Sequence, residues 1–186
     1  MTILHLASLG QPVLRQRAEE VSSATLREPA FQAFLDDLVT SMMFHDGVGL
    51  AAPQVFRSQR AIAVGLPASA EGGDETIEPL VIVNPVVEVT DPTEEEDWEG
   101  CLSLGELRGR VPRPRGIRVR GLSRDGRKFE RKLSGFPARV VLHEVDHLDG
   151  VVFLDRMKDL SSLGFARELD RRFVDMDEVE GSETRD

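Results

Sequence analysis

The residues with the most chemistry in this 186-residue chain are His143, Glu144 and His147, in the run His143-Glu144-Val145-Asp146-His147. On a helix, positions four apart lie one turn apart on the same face, so both imidazoles can reach one ion. Glu144 then projects about 100° round the helix. At that angle it is badly placed as a third ligand. It can instead touch a metal-bound water, remove a proton and later pass it to a leaving nitrogen, which is general acid/base work. With only four histidines in the chain, chance produces this HExxH pattern in about one sequence in 200. Val140, Val141, Leu142, Val145 and Leu148 make the segment mostly apolar. Buried paired histidines need a ligand or hydrogen-bond partners, so the pattern predicts a metal site.

A catalytic ion needs a third protein ligand and an open coordination position. In the metzincin pattern that ligand lies six residues after the second histidine, where this chain has Phe153. That class is excluded. A downstream glutamate, as in gluzincins, would be Glu168. The other candidate is Cys101, in Glu99-Gly100-Cys101-Leu102-Ser103. A lone cysteine is more often a small core residue than a ligand, but Gly100 permits an unusual backbone approach and a thiolate suits borderline ions. Two histidines and a thiolate would leave a divalent ion with one formal positive charge and a site for an acidified water. A second segment, Gly47-Val48-Gly49-Leu50-Ala51-Ala52-Pro53-Gln54, is more than a helix stop. Its small residues let another chain approach the backbone, and the Gln54 amide can donate to an oxygen that is becoming negative.

The elements that carry these groups follow from periodicity. Phe31, Phe34, Leu35, Leu38, Val39 and Met42 predict a helix over 28–45, ended by Gly47 and Gly49. Residues 12–22 read as extended and then a short helix. Strands are predicted at 61–66, at 80–90 with an interruption at Asn84-Pro85, at 117–122 and at 127–133. The last two flank a tight turn at Asp125-Gly126. The acid-rich runs 68–76 and 91–99 read as loops, the first mobile and the second solvated. The HExxH helix is predicted to start near Phe136, with Pro137 in its first turn, and to stop at Gly150. A short strand at 151–154 and a last helix at 161–173 follow. The expected organisation is one domain over 1–172 and an acidic, disordered tail over 173–186.

The net charge of −10 argues against a general nucleic-acid binder, DNA included. The single cysteine excludes an internal disulfide. Apolar runs are too short to span a bilayer and the first residues lack a signal-peptide pattern, so no membrane role and a cytoplasmic location are expected.

Three segments stand in order: GVGLAAPQ at 47–54, EGCLS at 99–103 and HEVDHLDG at 143–150. Together they resemble the signature motifs of the peptide deformylase family. Pro12-Val13-Leu14-Arg15, Val83-Asn84-Pro85 and Val111-Pro112-Arg113 extend the likeness over roughly 3–157. The resemblance implies an enzyme that removes the formyl group from N-formylmethionine on new polypeptides. It implies an α+β fold, with antiparallel β-sheets packed around a central HExxH helix and a C-terminal helix. It implies Cys101, His143 and His147 as metal ligands and Glu144 as acid/base. Gln54 and the Leu102 backbone N–H would stabilise the oxyanion. Val48, Gly49 and Gly100 would hold the peptide as an added strand, and Glu99 and Val140 would frame the methionine pocket. Fe²⁺ is the implied ion, with Zn²⁺, Ni²⁺ or Co²⁺ as substitutes, and the C-terminal region would dock on the ribosome. The chain departs from the family pattern at Leu142 (commonly Gln), Gly105 (commonly Pro) and Phe56 (often Gly). An active deformylase, a peptidase using Glu168 and a noncatalytic binding module are the three readings these residues allow.

Overall fold

The structure, a computed structural model, describes residues 1–67 and 77–169. The run 68–76 and the tail 173–186 lie outside the described residues. Among the described residues, three helices and six strands make an α+β fold, with the start of a further helix at 166. The helices are α1 (Ser23–Leu26), α2 (Pro29–Phe44) and α3 (Phe136–Leu148); the strands are β1 (Gly49–Ala51), β2 (Ala61–Pro67), β3 (Ile77–Gly100), β4 (Leu107–Leu122), β5 (Lys128–Ser134) and β6 (Gly164–Phe165). The sheet is antiparallel throughout, in the order β1-β2-β3-β4-β5, with β6 also on β4. β1 is therefore an edge. No described helix is long and apolar enough to cross a membrane.

The stripe on α2 buries Phe31, Phe34, Leu35, Leu38 and Met42 against Leu50, Ala63 and Val81. Helix α3 buries Ala138, Val141 and Leu148 against Ile62, Ile82, Ile117 and Val119. Each fully buried branched side chain contributes about 1.5–3 kcal/mol, so α3 is held centrally by its apolar face. A third group joins Cys101, Leu104, Val111, Val152 and Phe153. It ties the end of β3 to the chain beyond α3.

Several expectations need correction. The run 91–99 is not a solvated loop: it is the second half of β3, paired with β4. Its acids find cationic partners, as in Glu96–Arg110 and Glu95–Arg115, so cross-strand charge pairing allows a strand where composition alone reads as a loop. Asn84-Pro85 does not break β3 but makes a bulge between Val83 and Val86. Asn84 takes a left-handed φ of 51° and its side chain bonds both backbone groups of Val21. Helix α2 ends at Phe44, and the left-handed residue after it is Asp46, not Gly47 or Gly49. Pro12–Arg15 is a 3₁₀ turn and the short helix comes later, as α1. The predicted strand at 151–154 is replaced by a 3₁₀ turn, Phe153–Arg156, capped by Asp155 on the Val152 N–H. The last helix begins only at 166, after β6, and runs to the end of the described residues.

Candidate metal centre

Helix α3 supplies two of the clustered groups. Gly135 precedes it with φ 60°, Pro137 lies in its first turn, and Gly150 turns the chain away at φ 75°. A Cβ on Gly150 would meet the Arg15 backbone at 2.8 Å, so glycine there permits a close chain crossing. The third group, Cys101, follows β3 directly. The donor atoms of Cys101, His143 and His147 all lie within 4.8 Å of one another, and all three residues are buried. Cys101 Sγ is 3.2 Å from His147 Nε2. Glu168 is elsewhere, exposed and paired with Arg167, so the second candidate ligand of the sequence is not in this group. Phe153 stacks against His143 as a wall, with ring centroids 6.3 Å apart.

His143 is oriented by Glu99, whose Oε2 lies 2.9 Å from Nδ1. Glu99 also accepts two hydrogen bonds from Arg113 and one from Arg139. Burial opposes its ionisation, but the hydrogen bonds from His143 and Arg113 win and hold its carboxyl at about 2. Arg113 also donates to Asp146 at 2.6 Å, and Asp146 takes Arg156 on its other side. The result is a chain of alternating charge under His143, buried from Glu99 to Asp146 and reaching the surface at Arg156. The sequence reading missed Arg113, Arg139, Asp146 and Arg156. The available signal was that a buried Glu99 demands a cation, and that Asp146 sits inside HExxH itself.

The group fits a divalent ion. Its donor set of one sulfur and two imidazoles suits a borderline cation. Burial disfavours charge on both rings. At His143, hydrogen bonding with Cys101 and Glu99 outweighs burial and raises the imidazole to about 10. At His147, burial and the neighbouring His143 charge push it well down. His147 Nδ1 is buried without a hydrogen-bond partner among the described residues.

A cleft of about 240 Å³ opens over this group. Cys101 and His143 line it, while His147 lies behind, 1% exposed. The structure brings Val48, Gly49, Gln54, Glu99, Gly100, Leu102, Val140 and Glu144 to the same cleft. Burial raises the Glu144 carboxyl to about 7, partly offset by His143, and Glu144 Oε2 has no hydrogen-bond partner among the described residues. Gly49 makes room for it, since a Cβ there would collide with the Glu144 carboxylate. Gln54 is fixed at both ends. Its Oε1 accepts from Ala51 N–H at 2.8 Å, and its Nε2 faces Cys101 Sγ at 3.4 Å and Ser103 Oγ at 3.3 Å. Its donor end therefore points at the cluster.

The three departures have local accounts. Leu142 is half-buried and packs against the apolar group beneath α3. Gly105 has φ 62°, which proline cannot adopt, so the turn after Leu104 has a shape of its own. Phe56 is left-handed at φ 61° and stacks on His5 with ring centroids 5.8 Å apart.

A helix-borne HExxH, a cysteine brought to it by a strand end and a cleft above them define a metal-dependent hydrolase. The family model described as Polypeptide deformylase matches residues 3–162. The chain is 38% identical to Peptide deformylase 1 of Prochlorococcus marinus over 172 residues, covering 91% of this chain and 88% of that one. It is 33% identical to a peptide deformylase of Leptospira biflexa, covering 91% and 96%. Among solved structures, a Met-Ala-Ser-bound class I type b peptide deformylase from Acinetobacter baumannii aligns with TM-score 0.77 at 35% identity, over 84% of this chain and 99% of that one. The enzyme from Thermotoga maritima aligns at 0.74 and 34%, over 86% and 100%. The chain belongs to the polypeptide deformylase family. It is an enzyme of the class that removes the N-formyl group from nascent polypeptides.

Proposed function

We propose that Cys101, His143 and His147 hold the ion, that it is Fe²⁺, and that Zn²⁺, Ni²⁺ or Co²⁺ can replace it, since the donor set admits each. A divalent ion bound there supplies an acidified water and polarises a carbonyl. Glu144 takes a proton at its unpartnered Oε2 and returns it to the methionine nitrogen as the formyl C–N bond breaks, giving formate and a free amine. A carboxyl near neutrality suits both halves of that exchange. Gln54 Nε2 and the Leu102 N–H donate to the carbonyl oxygen as it becomes negative. Val48 and Gly49 lie at the β1 end of the sheet and, with Gly100, offer backbone to an added peptide strand. Val140 and Glu99 frame the methionine. The observation that carries the reading is convergence: a fixed amide donor and a buried carboxyl, whose Oε2 has no partner among the described residues, meet at the three-donor group. The test is preparation without oxygen, metal analysis and turnover of formyl-Met-Ala-Ser. One ion per chain and release of formate support it. Metal retained by Cys101→Ala at full occupancy would sink the ligand assignment.

The catalytic unit is proposed to be 1–172, working in the cytoplasm, with 173–186 a separate acidic tail. Ribosome contact through 156–172 is proposed on its excess of Lys and Arg, five against three acids. Among the described residues, Arg156, Lys158 and Arg167 pair with carboxylates. Ribosome binding that is unchanged by Arg171→Glu with Arg172→Glu would rule that contact out.

A further inference from the structure

The two groups assigned to the developing oxyanion sit on short irregular turns, not on strands. Gln54 lies in the 3₁₀ turn Ala52–Val55, and Leu102 opens the 3₁₀ turn Leu102–Leu104. The first N–H groups of such a turn find no acceptor inside it, which leaves the Leu102 N–H to a substrate oxygen. Hydrogen-bond geometry in 3₁₀ turns is poor, so these turns take their position from contacts outside themselves. One contact joins them directly, Gln54 Nε2 facing Ser103 Oγ at 3.3 Å. The other is made by a separate segment that bonds to both. The Ala7 N–H donates to the Gln54 carbonyl at 2.7 Å, and the Leu9 N–H donates to the Ser103 carbonyl at 2.8 Å.

That segment is itself pinned. The Leu4 N–H donates to Ser41 Oγ of α2 at 2.8 Å. Leu4, Leu6 and Leu102 all pack against the apolar group that α2 buries. His5 stacks on Phe56, the left-handed residue that closes the Gln54 turn. Ala7 is fully buried. Leu9 and Gly10 are the central residues of a reverse turn, in which the Gln11 N–H donates to the Ser8 carbonyl at 3.0 Å. Gly10 has φ 105° and Leu9 is not among the left-handed residues, the pattern of a type II turn with glycine at its third position. Such a turn makes no use of the N–H at its second position, so the Leu9 N–H can bond to Ser103 instead.

We propose that Ala7 and Leu9 are positioning residues for deformylation: their backbone N–H groups set the Gln54 amide and the Leu102 N–H at a fixed spacing around the oxyanion. This rests on the deformylase reading above. The test uses Leu9→Pro in metal-loaded, full-length enzyme. Proline suits the second position of a type II turn but removes the N–H, and Leu9 is 43% exposed, so the core is left intact. With formyl-Met-Ala-Ser, kcat per bound ion should fall about tenfold, with KM within about twofold of the parent. Leu9→Ala keeps the N–H and should retain the parent kcat. A Leu9→Pro enzyme as fast as the parent would overturn the proposal. So would a loss confined to KM, or an equal loss in Leu9→Ala, which would trace the effect to the side chain. If the loaded parent enzyme releases no formate, the deformylase reading fails instead.

Discussion

Gln54 and Glu144 show how burial turns ordinary side chains into reagents. Both are almost fully enclosed, yet only one is satisfied. The Gln54 amide is locked by Ala51, so its NH₂ cannot turn away from the cluster. Glu144 has an oxygen without a partner among the described residues and a carboxyl raised by burial to about 7. A donor that acts on charge developing in the transition state affects kcat more than KM. Gln54→Leu should therefore lower kcat by about 10²–10³ with KM little changed, measured as formate release at full metal occupancy; a loss confined to KM would move Gln54 to a substrate-binding role. HExxH was legible from sequence because a helix makes residues four apart neighbours. Cys101 was harder to read because it stands 46 residues from His147, a closeness made by the fold and signalled only by the company of EGCLS and GVGLAAPQ.

The metal group depends on contacts between β1, β3, β4 and α3. β1 meets α3 at Gly49, whose missing side chain accommodates Glu144. Gly49→Ala should displace that carboxylate and lower kcat by about 10²-fold, with metal content unchanged; wild-type turnover would show that the contact does not position Glu144. β4 meets α3 through Arg113, which joins Glu99 to Asp146. Arg113→Met would leave both carboxylates buried without that cation and should cost about 3–5 kcal/mol. The pH dependence has a definite sign. The Glu99 carboxyl lies below its ordinary 4.5, at about 2 in the folded chain, so its stabilisation is present above about pH 4.5 and is lost as pH falls towards 2. In Arg113→Met that carboxyl rises, and acid unfolding followed by circular dichroism should move to higher pH; a midpoint that stays put or falls contradicts the network. This layer was the least legible part of the site. The run 91–99 has the composition of a loop, and only the arginines of β4, met across the strand ladder, make it a strand. Apolar stripes identified α2 and α3, whereas the turns at Asp46 and Phe153–Arg156 were misplaced because their caps are set by local bonds rather than by periodicity.

At the scale of the whole molecule, the three proposed ligands come from two parts of the structure. Cys101 follows β3, while both histidines lie on the central helix. An ion bound by all three ties sheet to helix in the folded state alone, so its binding free energy adds to stability. Removal by a chelator should lower Tm by about 5–10 °C, and added Fe²⁺, Ni²⁺, Co²⁺ or Zn²⁺ should restore it; an unchanged Tm would mean that the three donors do not hold an ion together. Glu144 is proposed to carry the proton in removal of the N-formyl group, from its buried position beside the three donors. The most direct measurement is formate released from formyl-Met-Ala-Ser by metal-loaded, oxygen-free protein, with Glu144 and with Glu144→Gln. The account predicts steady turnover by the first and a kcat about 10²–10⁴ lower for the second, with both binding one ion. Fully loaded protein that releases no formate, or a Glu144→Gln enzyme as fast as its parent, would contradict it.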